Sequence, residues 1–134
     1  MRILYVARSA RLARWASDVG LGKHLYKVGV FEGDPKALAL AGWAGESDWK
    51  ILAKEAVDGL GEEEALARLG QREMAVEPRF YPKLKEAAGV FRVAPQHVEN
   101  HILVTRALAG EGERGELKLK PSDFAAYLMR FAKG

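Results

Sequence analysis

The sequence predicts a single α+β domain, residues 1–134, in which a small mixed or antiparallel sheet packs against three to five helices. Short segments of β character alternate with segments whose apolar residues recur every three or four positions. Of the 134 residues, 49% are hydrophobic and 29% are charged, which is typical of one globular domain. Glycine and proline separate most of the segments. A chain of this length can bury an adequate core, so folding requires neither a disulfide nor a metal.

The first predicted elements are a strand, a helix and a second strand. Residues 2–7 form a short run of β character, and Ser9 then precedes apolar residues at helical spacing, which indicates a helix with Ser9 as its N-cap. Gly20 and Gly22 are expected to end this helix. Residues 24–31 resume β character and should pair with the first strand.

A turn, a helix and a third strand are predicted next. In Gly33-Asp34-Pro35, Asp34 suits the N-cap and Pro35 the first position of a helix that ends at Gly42. Residues 47–57 are predicted to form the third strand. Residues 62–69 are strong helix formers and begin with three glutamates, which suit the positive end of a helix dipole.

The elements after residue 70 are shorter and less regular. Two prolines in residues 71–82 favour a connection or a short edge strand. A helical turn over 83–88, a strand over 90–93 and a helix over 96–109, with Val98, Ile102 and Thr105 on one face, should follow.

The C-terminal part begins with a glycine-rich segment, 110–115, which is predicted to be a flexible loop. Residues 116–120 alternate as a strand would, and a helix follows Pro121. This helix carries an apolar stripe that needs a core to cover it: Phe124, Tyr127, Leu128 and Phe131. The stripe is expected to pack either within the same domain or on a partner subunit, so a homodimer is one expectation.

Composition excludes several classes of function. The absence of cysteine excludes disulfides, thiol catalysis and cysteine-ligated metal sites. No apolar run approaches the length of a membrane span and no secretory signal is evident, which predicts a cytoplasmic protein without a membrane partner. The scarcity of Asn, Gln and Thr is typical of thermophilic proteins, although GC-rich codon usage would explain a similar composition.

The charge distribution suggests an anionic partner. The net charge is +3, but segments 1–31, 32–77 and 78–134 carry +5, −6 and +4. If the outer segments fold together, they present a basic face of the kind that attracts nucleic acid or another anion. An ordinary surface of mixed charge is the alternative interpretation.

The most informative segment is 20–52, which combines glycines, lysines and two tryptophans around one turn. Its lysines would meet an anion while a tryptophan provides an apolar wall, which predicts a binding surface formed by Lys23, Lys27, Lys36, Trp43 and Trp49. The Gly20-Leu21-Gly22-Lys23 run also suggests a phosphate loop, but it lacks the spacing of one and precedes a strand. A helix C-cap followed by a strand explains it better.

Two groups of side chains suggest a metal site. His97 and His101 lie four positions apart on a predicted helix, which places both imidazoles on one face, with His24 as a candidate third ligand. Val98 stands where a zinc protease would carry its glutamate, so two solvent-facing histidines are the alternative. The three consecutive glutamates at 62–64 would suit magnesium, or they form a solvated helix start.

Three short motifs together resemble a known family. Leu4-Tyr5-Val6, then Tyr26-Lys27-Val28-Gly29, then Asp34-Pro35-Lys36-Ala37-Leu38 resemble the start of the GIY-YIG nuclease fold, particularly its phage-type members. The segment 89–95 resembles their Glu-Trp-Phe segment, so the likeness covers roughly residues 1–102.

This resemblance implies metal-assisted phosphodiester hydrolysis with one divalent metal. The two tyrosines of the family would be Tyr5 and Tyr26, and its glutamate would be Glu63 or Glu64. The family's arginine falls at or near Lys36, and a lysine does not reproduce a planar, two-pronged phosphate clamp. The resemblance therefore implies a degenerate relative.

Taken together, these observations favour a non-catalytic binding or interaction module with a modestly basic surface and no cofactor. One alternative is a metal-dependent phosphodiesterase that uses Tyr5, Tyr26, Lys36 and Glu63. A second alternative is metal binding through His97 and His101.

Overall fold

The computed structural model describes residues 1–110 and 118–134. Within these ranges the chain forms five strands and five α-helices, with one 3₁₀ turn at Pro82–Leu84. In chain order they are β1 (Arg2–Arg8), α1 (Ala10–Asp18), β2 (Leu25–Glu32), α2 (Lys36–Ala41), β3 (Lys50–Val57), α3 (Glu62–Gly70), β4 (Met74–Ala75), β5 (Val90–Arg92), α4 (Pro95–Leu108) and α5 (Pro121–Lys133).

The strands form one sheet in the order β3-β1-β2-β5-β4, and every neighbouring pair is antiparallel. This arrangement confirms the predicted α+β class, and of the two predicted kinds of sheet, mixed or antiparallel, the sheet is antiparallel. The predicted pairing of the first two strands is also confirmed, since β1 pairs with β2 from Arg2↔Glu32 to Ala7↔Lys27. β3 and the two-residue β4 lie at the edges, so the predicted short edge strand in 71–82 is present.

The core lies on both faces of the sheet. On one face, Leu4, Val6 and Tyr26 pack with side chains of α3 and α5. On the other face, Ala7 and Leu25 pack with side chains of α1, α2 and the segments that follow α2 and β4. We call these the α5 face and the α1 face. Because side chains alternate along a strand, Tyr5 and Lys27 lie on the α1 face with Ala7 and Leu25.

Local hydrogen bonds define the ends of the first two helices. Ser9 Oγ accepts the Leu12 N–H at 3.0 Å, which confirms Ser9 as the N-cap of α1. α2 begins at Lys36, one residue later than predicted, because Pro35 takes the N-cap position. The Asp34 carboxylate still accepts the Lys36 N–H at 3.0 Å. α2 ends at Gly42, whose φ of 83° favours glycine.

The apolar stripe of α5 is covered by the domain itself. Phe124, Tyr127 and Leu128 are buried in the core of the α5 face, and Phe131 packs against that core. The ring of Phe124 stacks on Tyr26 at a centroid distance of 5.2 Å. The stripe therefore packs within the domain, and a partner subunit is not required to cover it.

Several predicted boundaries were wrong. The third strand begins at Lys50 because residues 47–49 belong to the preceding loop, and the helical turn over 83–88 is only the 3₁₀ turn. Thr105 is exposed, unlike Val98 on the same helix, and its hydroxyl donates to the His101 carbonyl. Residues 118–120 are not a strand. The loop predicted at 110–115, apart from Gly110, and the first two residues of the predicted strand 116–120 lie outside the described residues.

No helix in the described ranges is both long enough and apolar enough to cross a bilayer.

Candidate functional site

A groove of about 670 Å³ lies beside the outer edge of β3. We call it the edge groove. One side of it is the first half of β3, residues 50–54, and the other side is α2 with the loop that precedes β3. The residues from α2 and this loop are Lys36, Ala39, Leu40, Ser47 and Trp49. Because β3 is the outermost strand, no other strand of the described chain closes the groove.

The edge groove is positively charged. Lys36, Lys50 and Lys54 line it, and no carboxylate is among its lining residues. The nearest acidic partner is Asp34, whose Oδ1 lies 3.5 Å from Lys54 Nζ. The backbone N–H of Lys36 is the main cause that lowers the pKa of Asp34. Because solvent screens this exposed ion pair, Asp34 offsets little of the positive charge. The three lysine ammonium groups therefore dominate the electrostatic potential at the groove.

The apolar wall of the edge groove is partly fixed and partly exposed. Trp49 is 8% exposed, and its indole Nε1–H donates to the Trp43 carbonyl at 3.0 Å. The two indoles also make an edge contact, with ring centroids 5.1 Å apart. Leu40 on α2 is 76% exposed. A rigid indole and an exposed leucine therefore offer apolar contact beside the lysines.

A second polar group is buried on the α1 face. Lys27 Nζ lies 3.3 Å from Tyr5 Oη, to which it donates, and 5.2 Å from the centroid of the Trp43 ring. The Tyr5 and Trp43 rings stack at 5.7 Å. The Glu62 carboxylate lies nearby, where it accepts the Val30 N–H at 3.1 Å. We call Tyr5, Lys27, Trp43 and Glu62 the Lys27 cluster.

The environment of the Lys27 cluster shifts two pKa values. Burial lowers the pKa of Lys27 from 10.5 to about 8, and the opposing attraction of Glu62 is smaller. Burial, and to a lesser extent the charge of Glu62, raises the pKa of Tyr5 well above 10. A lysine with a pKa near 8 resembles a functional amine, but Lys27 is only 4% exposed and Tyr5 only 2%. The cluster is therefore closed to a ligand in this conformation, and its contacts hold Trp43 on the sheet.

The structure places the predicted binding residues in different parts of the fold instead of in one surface. Lys36 and Trp49 line the edge groove, whereas Lys27 and Trp43 belong to the Lys27 cluster. Lys23 is exposed and lies near His24, where its charge contributes to lowering the pKa of that imidazole after the larger effect of burial. Sequence analysis missed Lys50 and Lys54, because their place in the groove depends on the position of β3 at the edge of the sheet, which no local pattern indicates.

The residues named from the family resemblance are also divided. Tyr5 lies on the α1 face, but Tyr26 lies on the α5 face, where it stacks on Phe124. Ala39 of α2 packs in the core of the α1 face. The helix that carries Lys36 is therefore on the Tyr5 side of the sheet.

The glutamates at the start of α3 point to different partners. Glu62, not Glu63, contributes to the raised pKa of Tyr5. Glu63 is exposed, and Glu64 pairs with Arg68 at 2.5 Å. The glutamates of 62–64 therefore do not converge on one cation position.

His97 takes part in a buried polar network that sequence analysis missed. The Glu73 side chain is 1% exposed, and its Oε2 lies 2.6 Å from His97 Nδ1. The same carboxylate accepts the Tyr127 hydroxyl at 2.5 Å and the Ala94 N–H at 2.8 Å. The Glu73 carboxylate therefore joins α4, through His97, and α5, through Tyr127, to the start of β4. Glu73 gave no signal because a charged residue in an irregular segment is normally exposed.

The three histidines lie apart from one another: two of them contact aromatic side chains of α5, and the third, His97, contacts Glu73. His24 stacks on Phe124 at 4.6 Å, and His101 contacts Phe131 at 5.4 Å. Burial is the main cause that lowers the pKa of His101, and the charges of Arg130 and Arg72 add to it. Those positive charges disfavour a cation at this position. In residues 1–110 and 118–134, no three histidine or carboxylate side chains come together in a way that could hold a metal ion.

Comparisons with protein-family models, with curated proteins and with solved structures found no significant match to this chain. The resemblance to the GIY-YIG fold therefore stays a hypothesis.

Proposed function

We propose that the protein is a non-catalytic binding module and that the edge groove receives an anionic partner. The observation that carries this proposal is the set of three lysines around an apolar wall, with no carboxylate among the residues lining the groove. The groove is open to solvent, and its lysines lie on the rim, so a partner can neutralise them without first disrupting the core.

Lysines on an edge strand have a simpler explanation, because they discourage sheets from associating edge to edge. That explanation accounts for Lys50 and Lys54, which lie on β3. It does not account for Lys36, which α2 brings to the other side of the same groove. Positive charge on both sides of the groove favours a binding role.

Binding of a labelled nucleic acid and of poly-glutamate, measured by fluorescence anisotropy over a range of salt concentrations, tests the proposal. Contact of three lysines with single-stranded DNA predicts that log K falls against log salt with a slope of about −2. The double variant Lys36→Ala/Lys50→Ala should lose most of this slope. Lys23→Ala/Lys118→Ala, at two exposed lysines outside the groove, removes the same number of charges and is the matched control.

Two results would contradict the proposal. The first is a lack of binding to either polyanion at low salt. The second is binding that the double variant and the control weaken equally, which would place the contact elsewhere. Repeating the nucleic-acid reactions with Mg²⁺ or Mn²⁺ tests the phosphodiesterase alternative, because strand cleavage would show catalysis that a binding module lacks.

A further inference from the structure

We infer that the partner of the edge groove is an extended acidic polypeptide segment that pairs with β3 as an additional strand. This inference rests on the proposed function, since it names the partner of the same groove. It joins three properties of the groove: an open strand edge, an elongated shape and the placement of its lysines.

The open edge comes from the position of β3 in the sheet. One edge of β3 pairs with β1 from Arg2↔Val57 to Arg8↔Lys50, and no described strand lies along the other edge. Residues 54–56 of this strand are exposed, and residues 51–53 are half-buried. An open edge presents backbone N–H and C=O groups in the pattern that an incoming strand satisfies.

The shape of the groove follows the strand. Residues 50–54 are consecutive along β3, and all of them line the groove. At a rise of about 3.3 Å per residue, this length accommodates roughly five residues of an extended segment. α2 stands opposite, so Leu40 and Trp49 would contact apolar side chains of that segment.

An irregularity in β3 places its lysines on both faces of the sheet. The register with β1 shifts between Val6 and Ala7, so Lys54 pairs with Tyr5 while Lys50 pairs with Arg8. Directly paired residues share a face. Lys54 therefore lies on the α1 face, and Lys50 lies on the α5 face. An added strand with acidic residues on both of its faces would meet a lysine on each.

Charge and backbone chemistry distinguish this partner from two others. A second copy of β3 carries two lysines and one carboxylate, Glu55, so pairing two copies brings two edges of net positive charge together, which is less favourable than pairing with an acidic strand. A nucleic acid would neutralise the lysines, but it has no strand of amides to pair with β3. An acidic polypeptide satisfies both the charges and the backbone groups.

The experiment uses the wild-type protein, the Lys36→Ala/Lys50→Ala variant and three kinds of probe. The first is a short peptide of the repeat Glu-Glu-Val-Val, which as a strand carries glutamate and valine on both of its faces. The second is the same peptide with alternate amides N-methylated along one edge, prepared once for each edge. The third is a thymidine oligonucleotide. Affinity is measured by anisotropy, and backbone amide exchange is followed by NMR. The unmodified peptide should bind and slow amide exchange within residues 51–53. At least one of the N-methylated peptides should bind about tenfold more weakly, because it loses pairing donors while keeping every charge.

The outcomes separate the inference from the proposed function. Equal affinity of the unmodified peptide and both methylated forms would show charge attraction alone and overturn the inference. Binding of the oligonucleotide but not the peptide, sensitive to Lys36→Ala/Lys50→Ala, would overturn the inference and leave the proposed function standing. Absence of binding by every probe at low salt would remove both. Self-association of the protein that protects residues 51–53, without peptide binding, would identify a second copy as the occupant and overturn the inference.

Discussion

The buried ammonium of Lys27 predicts that Lys27→Met changes how the stability of the protein depends on pH. Burial lowers the pKa of Lys27 from 10.5 to about 8 in the folded chain. One pKa unit corresponds to about 1.4 kcal/mol, so keeping this lysine charged in the fold costs about 3 kcal/mol. Methionine fills a similar volume without the charge, and the variant should be more stable than wild type at neutral pH.

The sign of the pH effect follows from proton linkage. Between pH 8 and 10.5 the unfolded chain keeps a proton on Lys27 that the folded chain has released. Stability rises with pH wherever the unfolded state binds more protons, so Lys27 adds stability as pH increases through this window. The raised pKa values of Tyr5, Tyr26 and Tyr127 act in the opposite direction above about pH 10, because the unfolded chain loses those protons first. Wild type and Lys27→Met contain the same tyrosines, so the contribution of the tyrosines cancels when the stability of one protein is subtracted from that of the other.

Urea unfolding at a series of pH values measures this difference. The stability advantage of Lys27→Met should shrink by about 2 kcal/mol between about pH 7.5 and 10, a change of roughly 1 M in the difference between their urea midpoints. Lys23→Met, at an exposed lysine, is the control and should show a constant difference from wild type. Parallel pH curves for wild type and Lys27→Met would refute the reasoning, since Lys27 would then titrate alike in both states.

Two further substitutions test the buried contacts. Gly29→Ala would place a Cβ against the Tyr5 hydroxyl and should lower the free energy of unfolding by about 1–3 kcal/mol. Gly70→Ala, in α3, has no neighbour within 4 Å and should not lower it, because alanine favours a helix. Equal melting temperatures for the two variants would show that the tyrosine moves aside at little cost. Glu73→Gln removes the charge that holds a histidine and a tyrosine, and it should lower the free energy of unfolding in urea by about 3 kcal/mol. Glu63→Gln, at an exposed glutamate, is the control. A loss of stability no larger than that of the control would mean that the network contributes little to stability.

The parts of the fold predicted correctly depend on local interactions. The Ser9 cap is a hydrogen bond to a residue three positions later, so the short sequence around it is sufficient. The β1–β2 pair joins strands that follow each other with one helix between them, and their alternation predicts which residues share a face. The start of β3 was misplaced because residues 47–49 continue a β-like pattern while Trp49 is held by the loop that contains Trp43.

The candidate site was predicted less well because burial depends on distant contacts. Alternation along β2 places Lys27 on one face with Leu25 and Gly29, but it does not show that this face is buried at Lys27. The Trp43 ring lies against the lysine only in the folded chain, and so does the charge of Glu62 that partly offsets the effect of burial on its pKa. Likewise, the sequence indicated lysines and an apolar wall, whereas the position of β3 at the sheet edge decided which lysines share the groove.

Segment 20–52 contributes residues to both the Lys27 cluster and the edge groove, and the two sites are in physical contact. This contact bears on how tightly the edge groove can bind a partner. Trp43 is held on Tyr5 within the Lys27 cluster, and its carbonyl accepts the indole N–H of Trp49. The indole wall is thus ordered before a partner arrives, so its ordering adds little cost to binding. The lysines are exposed and lose side-chain freedom when they pair, and salt weakens their contribution. At high salt, therefore, the affinity that persists should come from backbone pairing and the apolar wall, and the affinity ratio between the unmodified and the N-methylated peptides should stay the same while both affinities fall.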